Sequence, residues 1–100
     1  MSRYTVYVVP QAWGEIMELS GHIRQRVRNV IKELGDNPRP SQSKQLNVPQ
    51  FSRELRRVRL DRWRILFVVT EADRTVDILA VRKRPPYDYG DLAKIIEEIQ

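Results

Sequence analysis

Several features that define common functional classes are missing from this sequence. It has no cysteine, which excludes disulfides, thiolate zinc sites and a cysteine nucleophile. One histidine and four glycines leave no histidine pair and no glycine-rich phosphate loop. No apolar run approaches the ~18 residues of a membrane span, and the first residues lack a signal-peptide pattern. We therefore expect one cytoplasmic domain over residues 1–100 that uses no metal, no cofactor and no membrane.

Positive charge is abundant instead. The 100 residues contain 18 Lys and Arg against 13 Asp and Glu, a formal net charge of +5, and 14 of the 18 are arginine. Six of these arginines fall within residues 53–64, beside only two acidic residues. The planar guanidinium suits phosphate and stacks on bases. A basic middle of the chain indicates a polyanion partner, although a solvated charged surface would explain the same composition.

The spacing of apolar residues predicts the element order β-α-α-β-β-β-α. Alternating and β-branched residues predict a first strand near Tyr4–Val9 and a later antiparallel meander of three strands. A helical hairpin should precede the meander, and the proline-rich residues 36–52 should form a loop. The fold class is α+β, with the hairpin packed on one sheet face. The apolar spacing of Leu92, Ile95, Ile96 and Ile99 predicts a final helix, and Trp13 and Trp63 are assigned to the core.

The second predicted helix carries a row of basic residues beside its apolar stripe. Arg24, Arg28 and Lys32 follow each other at intervals of four residues, so they lie on one side of the helix. Simple exposure to solvent is the favoured interpretation of this row.

A two-residue turn at Asp61-Arg62 would fix the register of the first two meander strands. Arg59 then faces Arg64, and Arg57 joins them on the face opposite Val58 and Ile65. Directly opposed arginines repel, so an anion should bind there, unless Asp77 or another carboxylate neutralises them. If an anion binds, replacing one of these arginines should leave the stability of the fold unchanged or slightly raised.

The last strand leaves two arrangements open. A regular four-residue loop at residues 71–74 would place Lys83 on the arginine face and point Arg82 and Arg84 away, whereas an odd-length loop or a bulge would reverse this. Pro85-Pro86 must end the strand, and Tyr87 and Tyr89 follow. Tyrosines beside arginines can stack on bases, handle protons or pack against a helix.

Taken together, the element order, the segment RRVRLDRWRILFVV and the later ILAVRKRPPY resemble the RelE/ParE superfamily of bacterial and archaeal toxins. RelE-like members cleave messenger RNA on the ribosome, with the 2′-hydroxyl attacking the adjacent phosphate. The resemblance implies a toxin of a type II toxin–antitoxin system that partners an antitoxin and ribosome-bound mRNA. ParE-like members instead inhibit DNA gyrase by binding, and a non-catalytic RNA-binding domain is a third possibility.

The same resemblance implies site residues by position. Arg57 and Arg59 would replace the family's basic strand residues, Arg64 would bind phosphate, Arg84 would support the leaving group and Tyr87 would orient or activate the 2′-hydroxyl. Some active members have lysine at the strand positions, and arginine cannot act as a base at neutral pH. Tyr87 and Tyr89 compete for the tyrosine role. The further candidates for RNA binding are Arg56, Arg62, Lys83 and Tyr89.

Overall fold

The computed structural model describes residues 3–47 and 52–83, which form two helices and a five-stranded mixed sheet. This confirms the predicted α+β class. The predicted final helix, together with Arg84, Tyr87 and Tyr89, lies outside the described residues. The elements in chain order are β1 (Thr5–Val8), α1 (Pro10–Met17), α2 (Gly21–Asp36), β2 (Ser43–Leu46), β3 (Glu54–Leu60), β4 (Trp63–Thr70) and β5 (Thr75–Lys83).

The sheet has the strand order β1-β5-β4-β3-β2. The antiparallel meander of β3, β4 and β5 is confirmed, and β1 adds to β5 in parallel. A parallel neighbour is possible because the helical hairpin and the later strands separate β1 from β5 in sequence. Strand β4 is buried along six consecutive residues, as its continuous apolar sequence predicts for a central strand.

The apolar stripe of α2 packs into the core as predicted. Val27, Ile31 and Leu34 are buried, and they recur at the spacing that puts residues on one side of a helix. In α1 the buried residues are Ala12 and Ile16. Because Trp13 is the neighbour of Ala12 and projects about 100° away around the helix, its side chain is 51% exposed. The assignment of Trp13 to the core was therefore wrong, whereas Trp63 packs against the core as predicted.

Part of the predicted loop at residues 36–52 is a strand. Ser43–Leu46 pairs antiparallel with β3, so that Lys44 faces Arg57 and Gln45 faces Arg56. The four residues carry no apolar alternation that would have revealed a strand. An edge strand needs only main-chain hydrogen bonds to one neighbour, and charged residues are typical there because they oppose further pairing. Residues 36–52 are therefore a loop interrupted by an edge strand.

Within the described part of the chain, neither helix combines the length and the apolar character that crossing a membrane would require.

Candidate functional site

Strands β3 and β4 bring three of the predicted site residues to one face of the sheet. Their register pairs Arg59 with Arg64 and Arg57 with Leu66, as the two-residue turn predicts. Asp61 in that turn has a φ of 56°, a left-handed conformation that Asp adopts more readily than most residues. Its carboxylate also pairs with Arg26 of α2, which ties the turn to the helix layer. The side of the sheet that points away from the helices carries Arg57, Arg59 and Arg64, and we call it the arginine face.

A bulge in β5 decides which basic residue of the last strand joins this face. The pairing of β4 with β5 shifts between Leu66 and Phe67, so that Ile78 faces Phe67 but Ala80 faces Leu66. Beyond this shift Arg82 faces Arg64, and Lys83 faces Trp63. The arrangement with a bulge is therefore the correct one of the two alternatives. Arg59, Arg64 and Arg82 form a continuous row across three strands, and Lys83 projects toward the other side.

Lys44 is a basic residue of the arginine face that sequence reasoning missed. It is exposed and lies directly opposite Arg57 on the edge strand β2. Residues paired in this way have Cβ atoms about 5 Å apart. No residue pattern in the sequence marks Lys44 as part of this face. It can be placed there only after β2 is recognised as a strand and its register with β3 is known.

Arg64 differs from its neighbours because its side chain is buried. Only 4% of the residue is exposed, and it is the one buried charged residue of the described chain. Its Nη1 donates to the main-chain oxygens of Asp61, at 3.2 Å, and Trp63, at 3.0 Å. Arg64 therefore supports the β3–β4 turn, and its loss should destabilise the fold. For Arg64 this burial argues against the expectation that any of the three arginines could be replaced without loss of stability.

Arg57 and Arg59 have the properties expected of an anion site. Arg59 is exposed and Arg57 is half-buried. Neither forms an ion pair with a carboxylate of the described residues, and the buried Nε of Arg57 has no hydrogen-bond partner among them. Burying a guanidinium N–H without an acceptor costs free energy. An anionic ligand oxygen would supply that acceptor and would also reduce the repulsion between Arg59 and Arg64.

Asp77 does not neutralise this cluster. Its carboxylate lies 3.8 Å from Nη2 of Arg53, and Asp77 pairs with Val68 in the register of β4 and β5. Burial raises the pKa of the Asp77 carboxyl above its ordinary value, while the charge of Arg53 acts in the opposite direction. The alternative in which Asp77 balances the arginines of β3 and β4 is therefore wrong.

Carboxylates bind other basic residues of the sheet, among them Arg82 and the predicted site residue Arg56. Arg82 pairs with Glu15 of α1 at 3.1 Å, and the same carboxylate accepts a hydrogen bond from the main-chain N–H of Val81. Arg56 projects to the helix side of the sheet, where it contacts Glu54 at 3.1 Å and Ser43. Arg62 is exposed in the β3–β4 turn. The structure thus brings Arg82 to the arginine face but leaves Arg56 and Lys83 apart from it.

A second charge network ties the loop after α2 to the sheet. Arg39 makes a bidentate pair with Glu54, at 2.9 Å for each contact, and a further contact of 3.2 Å with Glu71. These contacts lower the pKa of Glu54, mainly through the hydrogen bonds from Arg39. For Glu71 the hydroxyl of Tyr4 is the main cause of a lowered pKa. This network has a structural role and lies away from the arginine face.

The apolar part of the arginine face is already covered. Leu66 and Val68 are 3% and 0% exposed, respectively. Where β2 and β3 form this face, the exposed residues Lys44 and Arg59 present positive charge.

Comparison with known proteins identifies the family. The model of the family described as ParE toxin of type II toxin–antitoxin system, parDE, matches residues 10–85. No curated protein matches the chain. The chain therefore belongs to the ParE toxin family and is a toxin of a type II toxin–antitoxin system. This confirms the predicted RelE/ParE superfamily.

Solved structures show the same fold. RelE in the archaeal RelE–RelB complex of Pyrococcus horikoshii is similar with a TM-score of 0.74 at 22% identity, covering 85% of this chain and 99% of that one. A mutant of E. coli RelE in the free state gives a TM-score of 0.72 at 17% identity over 100% of both chains. The RelBE2 complex of Mycobacterium tuberculosis gives 0.70 at 24% identity, covering 82% and 99%. At these identities the likeness establishes a RelE-like fold.

Proposed function

We propose that the protein is a ribosome-dependent endoribonuclease that cleaves messenger RNA through its arginine face. The single observation that carries this proposal is the pair Arg57 and Arg59, two guanidinium groups that no described carboxylate neutralises. They stand beside the buried Arg64 and opposite the exposed Lys44. A cluster of this kind suits the phosphodiester of a single RNA strand.

The proposed reaction is an internal displacement at phosphorus. The 2′-hydroxyl oxygen attacks the adjacent phosphorus and loses its proton to a base, while the bond to the 5′-oxygen breaks and that oxygen gains a proton. The products are a 2′,3′-cyclic phosphate and a 5′-hydroxyl. Arg57 and Arg59 would bind the nonbridging oxygens and stabilise the charge that develops on them. Arg64 would hold the turn in the geometry that aims Arg59 at the phosphate.

The proton transfers require groups other than these arginines. Arginine stays protonated at neutral pH and cannot be the base. By resemblance to the family, Tyr87 would orient or activate the 2′-hydroxyl and Arg84 would support the leaving oxygen, with Tyr89 as a competitor for the tyrosine role. These three assignments remain predictions, because the residues lie outside the described part of the chain.

We further propose an antitoxin whose toxin-binding segment is acidic and covers the arginine face. The structural neighbours include toxin–antitoxin complexes from an archaeon and from E. coli, which supports a partner of this kind. The charge of Arg57, Arg59 and Lys44 favours acidic residues in the covering segment. Occupation of the same face would explain how one partner both binds and inhibits.

The test is cleavage of a defined message with and without ribosomes. Replacing one positioned charge donor typically lowers the rate ~10²–10³-fold. Arg59→Gln should therefore lose cleavage while it folds normally. Arg74→Gln is the matched control, since Arg74 is also exposed but lies in the turn between β4 and β5. Unchanged cleavage by Arg59→Gln would refute the assignment of the site.

Inhibition of DNA gyrase is the second candidate, favoured by the match to the ParE family. Assays of supercoiling and of messenger RNA cleavage distinguish the two candidates. A gyrase inhibitor would block supercoiling of plasmid DNA by purified gyrase and would leave messenger RNA intact. That result would replace the nuclease proposal, whatever the arginine variants do.

A further inference from the structure

The row of basic residues on α2 is not used by the proposed nuclease site. Arg28 and Lys32 are exposed and Arg24 is half-buried. None of the three forms an ion pair with a carboxylate of the described residues. On the same helix, Arg26 does pair with Asp61 of the β3–β4 turn. The helix therefore has one arginine in an ion pair and, on a different side, three cations that form no ion pair with a described residue.

This arrangement weakens the helix that carries it. Like charges four residues apart destabilise a helix by about 0.2–0.5 kcal/mol for each pair, and the row contains two such pairs. The first turn of α2 also lacks an acidic residue that would offset the positive end of the helix dipole. The fold gains no described contact from the three charges in return. A polyanion bound along the row would remove the repulsion.

The row and the arginine face are separate surfaces. The buried stripe of α2, which includes Val27, packs toward the helix-covered side of the sheet, and Arg28 projects about 100° around the helix from Val27. Arg57 and Arg59 project from the other side of the sheet. The whole molecule is 25 Å across its shortest axis. An RNA strand bound at the arginine face therefore does not reach the basic row of α2 directly. A ligand of that row must be a separate segment.

The composition of α2 favours a double-helical ligand over a single strand. Proteins that hold single strands combine positive charge with aromatic side chains on which bases stack. α2 contains no Phe, Tyr or Trp. Its cations are spaced about 6 Å apart along a rigid rod, from the 1.5 Å rise per residue. Contacts made only to phosphates are typical of recognition of a duplex backbone without base reading.

We propose that Arg24, Arg28 and Lys32 bind the phosphate backbone of a double-helical RNA segment, separate from the strand at the arginine face. The choice of RNA rests on the proposed function, which supplies RNA as the target. Structured RNA around the cleaved message would then be held by α2 while the sheet acts on the message. An acidic protein surface is the competing occupant, and the experiment distinguishes the two.

The experiment measures binding of a short, fully paired RNA hairpin over a series of salt concentrations. The variant is Arg28→Gln with Lys32→Gln, which removes two exposed charges. The control is Arg3→Gln with Arg74→Gln, which changes the net charge equally at exposed positions outside α2. Each lost phosphate contact lowers the slope of log affinity against log salt by about 0.9, so the variant should lose about 2. Between 50 and 200 mM salt, the affinity of the unchanged protein should fall about tenfold more than that of the variant.

Equal slopes for the variant and the control would overturn the proposal. So would a variant that keeps hairpin binding but loses affinity for its antitoxin, because the occupant would then be an acidic protein. A stronger effect on a DNA duplex than on the RNA hairpin would overturn the choice of RNA. This experiment measures binding of the hairpin and not its cleavage. Its result for α2 therefore does not depend on the outcome of the nuclease assay. Conversely, Arg59→Gln should leave unchanged the part of the salt slope of hairpin binding that Arg28 and Lys32 contribute.

Discussion

Arg59 and Arg64 form one cross-strand pair, yet we expect opposite effects when each is replaced by alanine. The register places the two residues directly opposite each other on β3 and β4. Arg59 is exposed, whereas Arg64 is 4% exposed and donates hydrogen bonds to the main chain of Asp61 and Trp63. Arg64→Ala should therefore lower the free energy of unfolding, and Arg59→Ala should leave it unchanged or slightly raised.

The structure gives the size of this difference. Arg64→Ala removes two buried methylenes, at about 0.8 kcal/mol each, and two hydrogen bonds to carbonyls, at about 1 kcal/mol each in net terms. Relief of repulsion from Arg59 offsets about 0.2–1 kcal/mol of the loss. The net loss of about 2.6–3.4 kcal/mol would lower Tm by about 10–27 °C in a domain of this size. For Arg59→Ala the change should stay within about 0.5 kcal/mol.

Urea unfolding of both variants at pH 7 measures the two free energies. Arg64→Met is the informative control, because it keeps an apolar stem and removes the guanidinium, so its loss should be smaller than that of Arg64→Ala. Similar stabilities for Arg59→Ala and Arg64→Ala would refute the reasoning from burial. A stabilised Arg64→Ala would mean that repulsion between the two arginines outweighs the packing and hydrogen bonds of Arg64.

Two further predictions concern the dependence of stability on pH. Burial raises the pKa of Asp77 in the folded state, so the charged form of Asp77 opposes folding. Asp77→Asn should therefore stabilise the protein at pH 7. This gain in stability should disappear below the ordinary carboxyl pKa of about 4. Glu54 has a lowered pKa in the folded state, so Glu54→Gln should destabilise the protein by about 1 kcal/mol at pH 7, and the difference should vanish as the pH falls through that lowered pKa. Urea titrations of each variant beside the unchanged protein, at pH 7 and pH 3, would measure both effects. A constant difference between the two pH values would contradict the assigned pKa direction.

Local sequence determined the elements with strong periodicity and the register of one hairpin. The stripe of Val27, Ile31 and Leu34 specified α2, because a helix with those residues must bury one side. The two-residue turn at Asp61-Arg62 specified that Arg59 faces Arg64, because the length of a tight turn leaves little freedom in the pairing. These features, with the basic segment around them, were sufficient to indicate the toxin superfamily.

Tertiary structure decided which of the basic residues share a surface and which are buried. The bulge in β5 moved Arg82 to the arginine face and Lys83 away from it, and pairing at the sheet edge brought Lys44 opposite Arg57. Burial of Arg64 likewise depends on what surrounds it rather than on its neighbours in sequence. Each of these outcomes depends on contacts between residues distant in the chain. Periodicity reports only which side of its own element a residue occupies, so the sequence identified the arginines while the fold assigned their roles.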